Sequence, residues 1–182
     1  MNSKSKCLTP LFMETSKRYN CCLVGGTFDR FHSGHNLLLN AAFRDSVRVE
    51  VHVTVDSIAS HKSPFVESYE ERVENIFNWA SKNQQKSIKV FPLNDSFGPA
   101  PEHMAADCIV ATEETRGSCD QINDMRISNG LEPLDIIIVP HIIDSYGEVL
   151  SSSRIRSGFV DTDGNPWLSD LFRGHVVKMA PA

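Results

Sequence analysis

Five short apolar runs, at residues 21–25, 47–55, 87–91, 107–111 and 135–139, recur along the chain, with helical stretches between most of them. This alternation constrains the fold more than any other feature, because strands interleaved with helices bury themselves as one parallel sheet covered on both faces. Residues 34–44 put Leu37, Leu38, Ala41 and Ala42 on one helical stripe, and residues 69–81 do the same with Val73, Ile76, Phe77 and Ala80. Residues 119–128 also read as a helix, stopped by Asn129-Gly130. Residues 47–55 alternate Val with Arg, Glu, His and Thr, which is strand periodicity, and residues 135–139 read as a strand buried on both faces. The expected fold class is α/β, a doubly wound parallel five-stranded sheet in a single domain over residues 20–160. Residues 1–19 are then an extension. Residues 161–182 are a tail in which Trp167, Leu168, Leu171 and Phe172 predict a short docking helix.

In such sheets ligands bind outside the carboxyl ends of the strands, near the point where strand order reverses. The Gly25-Gly26 turn and the loops 54–62, 94–99 and 112–117 are therefore expected on one rim. That rim says where chemistry should be and leaves its kind open.

Composition removes several alternatives. With 182 residues, 41% hydrophobic and 23% charged, the chain can bury a core of ordinary size. A formal net charge of −5 argues against a broad nucleic-acid-binding face, which needs clustered Lys and Arg. A triphosphate remains an acceptable partner if positive groups and N–H donors are concentrated in one pocket. No apolar run approaches the ~18 residues of a membrane span. The cysteines Cys7, Cys21, Cys22, Cys108 and Cys119 are odd in number and form no C-x-x-C pair, so reduced thiols in the cytoplasm are expected. The first 18 residues lack the apolar core of a signal peptide; their Ser and Lys content is that of a transit peptide or, the expectation here, of a disordered extension.

The string Gly25-Gly26-Thr27-Phe28-Asp29-Arg30-Phe31-His32-Ser33-Gly34-His35 carries the chemistry. Two glycines at a strand end let the backbone turn tightly and approach a ligand. A helix starting near Ser33 or Gly34 offers free N–H donors and a partial positive charge to an anion. His32 and His35, three apart at that start, face the same side and suit phosphate oxygens. Zinc is not expected there, since no third ligand stands at a standard spacing, and no metal-binding residues are assigned. No Lys-Ser or Lys-Thr follows the glycines, so this is not a Walker loop.

Strand, glycine turn, His-x-Gly-His and amphipathic helix together resemble the nucleotidyltransferase superfamily with a T/H-x-G-H motif, which implies a Rossmann-like sheet. The same superfamily carries I-S-S-T-x-I-R, and this chain has Leu150-Ser151-Ser152-Ser153-Arg154-Ile155-Arg156. Alone, three serines before a helical turn would be an N-cap. Within the superfamily, residues 51–56 followed by Lys62, and the segments Tyr69-Glu70-Glu71-Arg72-Val73-Glu74, Pro92-Leu93-Asn94-Asp95-Ser96-Phe97-Gly98-Pro99 and Val110-Ala111-Thr112-Glu113-Glu114-Thr115-Arg116-Gly117, are similar to the archaeal and eukaryotic branch of phosphopantetheine adenylyltransferases. The resemblance runs over residues 21–158.

That resemblance implies transfer of AMP from ATP to 4′-phosphopantetheine, giving dephospho-coenzyme A and pyrophosphate, with Mg²⁺ on the triphosphate. It implies catalytic roles for His32, His35, Lys62 and Arg156. It places ATP against Gly25, Gly26, Thr27, Phe28, His35, Thr112, Glu113, Glu114, Ser151, Ser152, Ser153 and Arg156. The acceptor is expected against Thr27, Asp29, Lys62 and Asp95. No nucleic acid and no membrane are expected as partners, and the chain is a monomer or a small homo-oligomer. A phosphate oxygen attacks the α-phosphorus directly, so no protein nucleophile is needed. Two alternatives stay open: a cytidylyltransferase or other transferase of the same superfamily, and a nucleotide-binding regulator without turnover.

Overall fold

The structure is a computed structural model and describes residues 17–61 and 63–167. Its elements follow in the order β1 (Tyr19–Gly26), α1 (Ser33–Asp45), β2 (Ser46–Thr54), α2 (Asp56–Ala59), α3 (Tyr69–Lys82), β3 (Ile88–Leu93), β4 (Cys108–Thr112), α4 (Arg116–Ser128), β5 (Asp135–Val139) and α5 (Ser152–Arg156). The five strands form one sheet in the order β3-β2-β1-β4-β5, every pairing parallel. The order reverses between β1 and β4, so the crevice for a ligand opens at the ends of those two strands.

Two apolar clusters lie on the two faces of the sheet. One packs Leu39, Ala42 and Phe43 of α1 and Ile76 and Trp79 of α3 against Val24, Val49, Val51 and Val53. The other packs Cys119 and Ile122 of α4, with Ala100 and Ala106, against Cys21, Leu23 and Ile109. Coverage on both faces is what the interleaved sequence predicts. No helix among the described residues is long and apolar enough to cross a membrane. The four described cysteines are unpaired thiols.

Some boundaries move. β3 runs to Leu93, two residues past the apolar run 87–91, and so takes in Pro92. β3 is an edge strand, where a missing N–H costs least. α4 begins at Arg116, ahead of its first apolar residue, and the single turn α2 has no periodic signal at all. In β2 the polar residues Glu50 and His52 are both buried. Residues 161–167 fold back on the core: the Ser33 N–H donates to the Thr162 carbonyl at 2.9 Å, and the Ser145 N–H to that of Gly164 at 2.8 Å. Leu168, Leu171, Phe172 and the rest of the expected docking helix lie outside the described residues, as does Lys62.

Candidate active site

β1 ends on Gly25 and Gly26, and the chain then takes two left-handed non-glycine residues, Phe28 at φ 57° and Arg30 at φ 48°. Such backbone is held only where its surroundings over-determine it. Here buried bonds do so. The Asp29 carboxylate, 1% exposed, accepts the Glu67 N–H at 2.9 Å and pairs with the Arg156 guanidinium. The Glu67 carboxylate accepts the Arg30 N–H at 2.8 Å. Arg72, fully buried, donates to the carbonyls of Thr27, Thr54 and Glu67 and pairs with Asp56 at 2.7 Å.

The loop delivers His32 as the N-cap of α1, with His35 one turn on; their ring centroids lie 3.9 Å apart. The His32 Nδ1 accepts the Gly34 N–H at 3.1 Å, and the His35 Nδ1 accepts the His32 N–H at 3.3 Å. Each ring thus accepts at Nδ1, which assigns the proton of the neutral imidazole to Nε2. Burial pushes His32 down to about 4 against the opposing pull of Asp29. Burial and the neighbouring His32 push His35 well below its ordinary value. Both rings are therefore neutral Nε2–H donors at physiological pH. Phe28 and Phe31, with centroids 5.0 and 5.5 Å from the His35 ring, fix its orientation. Gly34 is required by this packing, because a Cβ there would stand 2.9 Å from the His32 ring.

One expectation needs correction. The first N–H groups of α1 are not free for an anion: Ser33 donates to Thr162 and Gly34 to His32. The donors on offer are imidazole N–H groups, supported by the positive end of the helix.

A cavity of about 220 Å³ opens beside the two rings, lined by His32, Gly34, His35, Thr112, Glu114, Ser151 and Ser152. Leu38 and Leu150 also line it, as do Pro140, His141, Ile142 and Val149. The last four escaped the sequence reading, although Pro140 and His141 directly follow the last apolar run on the predicted rim. The Ser152 hydroxyl donates to the Asp29 carbonyl at 2.7 Å, so the two signature segments, 123 residues apart, meet at the cavity edge.

The remaining candidate residues divide. Ser151 caps α5, accepting the Arg154 N–H at 3.4 Å. Ser153 accepts from Arg156 at 3.0 Å and does not line the cavity. Neither guanidinium of this segment lines it either: Arg156 is held by Asp29, and Arg154 by buried Asp144 at 2.5 Å. Burial alone would raise Asp144, but the N–H groups of Tyr146 and Glu148 and the Arg154 side chain hold it low. Thr27 and Phe28 sit in the strained loop, Thr27 giving its carbonyl to Arg72. Glu114 lines the cavity, whereas Glu113 turns to solvent near Arg116 at 3.8 Å.

Asp95 lies elsewhere. Its carboxylate accepts the N–H groups of Phe97 and Gly98, at 2.8 and 2.5 Å, and shapes the wall of a second cavity of about 560 Å³. Phe91, Pro92, Glu50, His52 and His103 also line that cavity. A narrow space of about 60 Å³, bordered by Gly25, His52, Leu93 and Phe97, lies between it and the glycine turn.

A parallel sheet with a reversal beside a His-x-Gly-His helix start defines a nucleotidyltransferase-like domain, and a cytidylyltransferase-like family model matches residues 23–158. Phosphopantetheine adenylyltransferase of Pyrococcus horikoshii is 37% identical over 153 residues, covering 82% of this chain and 96% of that one. The enzyme of the same name from Methanopyrus kandleri is 37% identical over 156 residues, 85% of this chain and 96% of its own. The chain belongs to the phosphopantetheine adenylyltransferase family. Among solved structures, a protein of unknown function from Archaeoglobus fulgidus shares the fold with a TM-score of 0.61 at 24% identity, covering 65% of this chain and 87% of that one.

Proposed function

We propose that this chain transfers the adenylyl group of ATP to 4′-phosphopantetheine, forming dephospho-coenzyme A and pyrophosphate. The observation that carries the mechanism is the pair of neutral imidazoles whose Nε2–H groups are left for a ligand by their own Nδ1 bonds. An acceptor phosphate oxygen attacks the α-phosphorus in line; the new P–O bond forms as the bond to pyrophosphate breaks. His32 and His35 donate to the oxygens on which charge grows. Because they are already neutral and oriented, no proton need move and no reorganisation is needed at the moment of reaction. Positioning supplies the rest.

In this reading the nucleotide occupies the 220 Å³ cavity, with Thr112 and Glu114 on its nucleoside side and Ser151 and Ser152 toward the phosphates. Gly25, Gly26, Thr27 and Phe28 shape the turn between nucleotide and acceptor. Asp29 and Arg156 clamp the two signature segments together, and Ser153 steadies Arg156. Lys62 meets the acceptor phosphate. The pantetheine arm runs along the apolar walls of the larger cavity past Asp95. The donor set suits a magnesium ion held by triphosphate oxygens and water, because Glu114 is the carboxylate lining the nucleotide cavity among the described residues. Magnesium would supply charge neutralisation on the phosphates. The unpaired thiols of the four described cysteines support a place in the reducing cytoplasm.

The test is nucleotide and acceptor choice. Product formation from ATP with 4′-phosphopantetheine, and none from CTP with phosphocholine, is expected. The reverse preference would move the chain to the cytidylyltransferase branch, and nucleotide binding without any product would make it a regulator.

A further inference from the structure

β2 is a central strand, and its alternation would place Glu50 and His52 on a solvated face. Instead both are buried, at 8% and 6% exposure, on the side of the sheet away from α1. Burying two ionisable side chains without compensation is costly, so the question is what they are there to hold.

The Glu50 carboxylate reaches the His103 Nε2 at 3.0 Å, and its other oxygen lies 3.5 Å from the Arg48 Nε. The fully buried Cys21, on the neighbouring strand, completes a cluster. Its Sγ, a Glu50 carboxylate oxygen and a His103 ring nitrogen all lie within 4.8 Å of one another, the one such trio among the described residues. A second, independent observation marks the same place. His52, on the cavity wall with Glu50 and His103, has neither ring nitrogen hydrogen-bonded, and the His103 Nδ1 is likewise without a partner. Buried imidazole nitrogens normally find partners.

We propose that Cys21, Glu50 and His103 form a binding site for a borderline-soft divalent cation, best suited to Zn²⁺, in the floor of the larger cavity. Thiolate, imidazole and carboxylate are the zinc donor types, and three protein ligands leave a fourth position open toward the cavity and His52. Bond lengths of that chemistry imply ligand atoms about 3.3–3.6 Å apart, so on loading Glu50 and His103, now 3.0 Å apart, open slightly, and the Cys21 Sγ, within 4.8 Å of both, draws in to that spacing. The charges balance. Zn²⁺ displaces the Cys21 thiol proton to solvent, Glu50 supplies the second negative charge, and the His103 proton moves from Nε2 to Nδ1 as Nε2 becomes a ligand. Arg48 stays on the uncoordinated Glu50 oxygen as its outer partner.

The frame is rigid where a metal needs it. Cys21 and Glu50 sit on paired strands, and its N–H is held by Asp107 at 3.0 Å. His103 belongs to a loop whose backbone is gripped by buried Arg126, which donates to the carbonyls of Ala100 at 2.7 Å and His103 at 3.0 Å. The sequence hid the trio, because its members are scattered through three segments with no metal-ligand spacing. The proposal stands apart from the assignment of the acceptor, since it concerns the protein and the cation alone.

The experiment is a Co²⁺ titration of the chelator-treated full chain, read by absorption. Stoichiometric binding should give visible d–d bands of tetrahedral intensity and a near-ultraviolet thiolate-to-cobalt band, both bleached by Zn²⁺. Cys21→Ser should lose the thiolate band. His103→Gln, which keeps a polar side chain beside Glu50, should weaken Co²⁺ binding by about tenfold or more. No thiolate band at saturating Co²⁺, a band that survives in Cys21→Ser, or unchanged Co²⁺ affinity in His103→Gln would overturn the proposal.

Discussion

At His32 and His35 the decisive atoms are the two Nδ1 acceptors, because they settle which nitrogen is left to a ligand. Replacing His35 by Ala should cut turnover by about a hundred- to a thousandfold, the usual worth of one preorganised donor, with an unchanged circular dichroism spectrum. Turnover near wild type would remove His35 from the chemistry. The buried neutral state also sets a pH dependence of stability. The folded-state value of His32 is lowered to about 4, so below about 6.5 the unfolded chain takes up a proton that the fold refuses. This contribution is intact above 6.5 and is lost as pH falls toward 4, amounting at most to about 2 kcal/mol at pH 5. Urea midpoints at pH 7 and pH 5 should therefore draw together in a His32→Gln variant. The histidines were legible because their spacing and the adjacent glycine turn are local. Their tautomers were not, since these depend on which backbone N–H each ring accepts.

Among the elements, α3 was legible as a helix from Val73, Ile76 and Ala80, but its main service to the site was hidden in a charged residue. Arg72 shares the helix face of Ile76 and Ala80 but reads as surface by its charge, yet it is fully buried and ties α3 to the ends of β1 and β2 through three carbonyls and Asp56. Truncating one side of a buried network of this kind typically costs about 3–5 kcal/mol. Arg72→Ala should lose that much in urea denaturation; a loss below about 1 kcal/mol would show that the network is replaceable by water. β2 teaches the same lesson in reverse. Its alternating pattern gave the strand but not the burial of Glu50 and His52, because a central strand with cover on both sides buries polar positions too. The ends of β3 and α4 were misplaced for a similar reason: edge position excuses Pro92, and α4 starts at a turn with no apolar marker.

Over the whole molecule, the parallel five-stranded sheet was legible from alternation, whereas its strand order, with the reversal beside the glycine turn at the end of β1, came from the structure. What could not be read was how the two signature segments meet. Asp29 joins them, accepting Ser152 at its carbonyl and Arg156 at its carboxylate. Asp29→Asn keeps the shape and removes the charge that holds Arg156. A rise in the ATP KM together with a fall in kcat is expected, whereas an unchanged ATP KM and kcat would show that the clamp has no bearing on the nucleotide. Family membership and the paired imidazoles converge on one reaction, and its most direct measure is the fate of the α-phosphorus. With ATP labelled there, the account predicts that label enters dephospho-coenzyme A in step with pyrophosphate release, only when 4′-phosphopantetheine is present, and almost not at all with His35→Ala. Label that stays in AMP or ATP, or that reaches product equally well without His35, would contradict it.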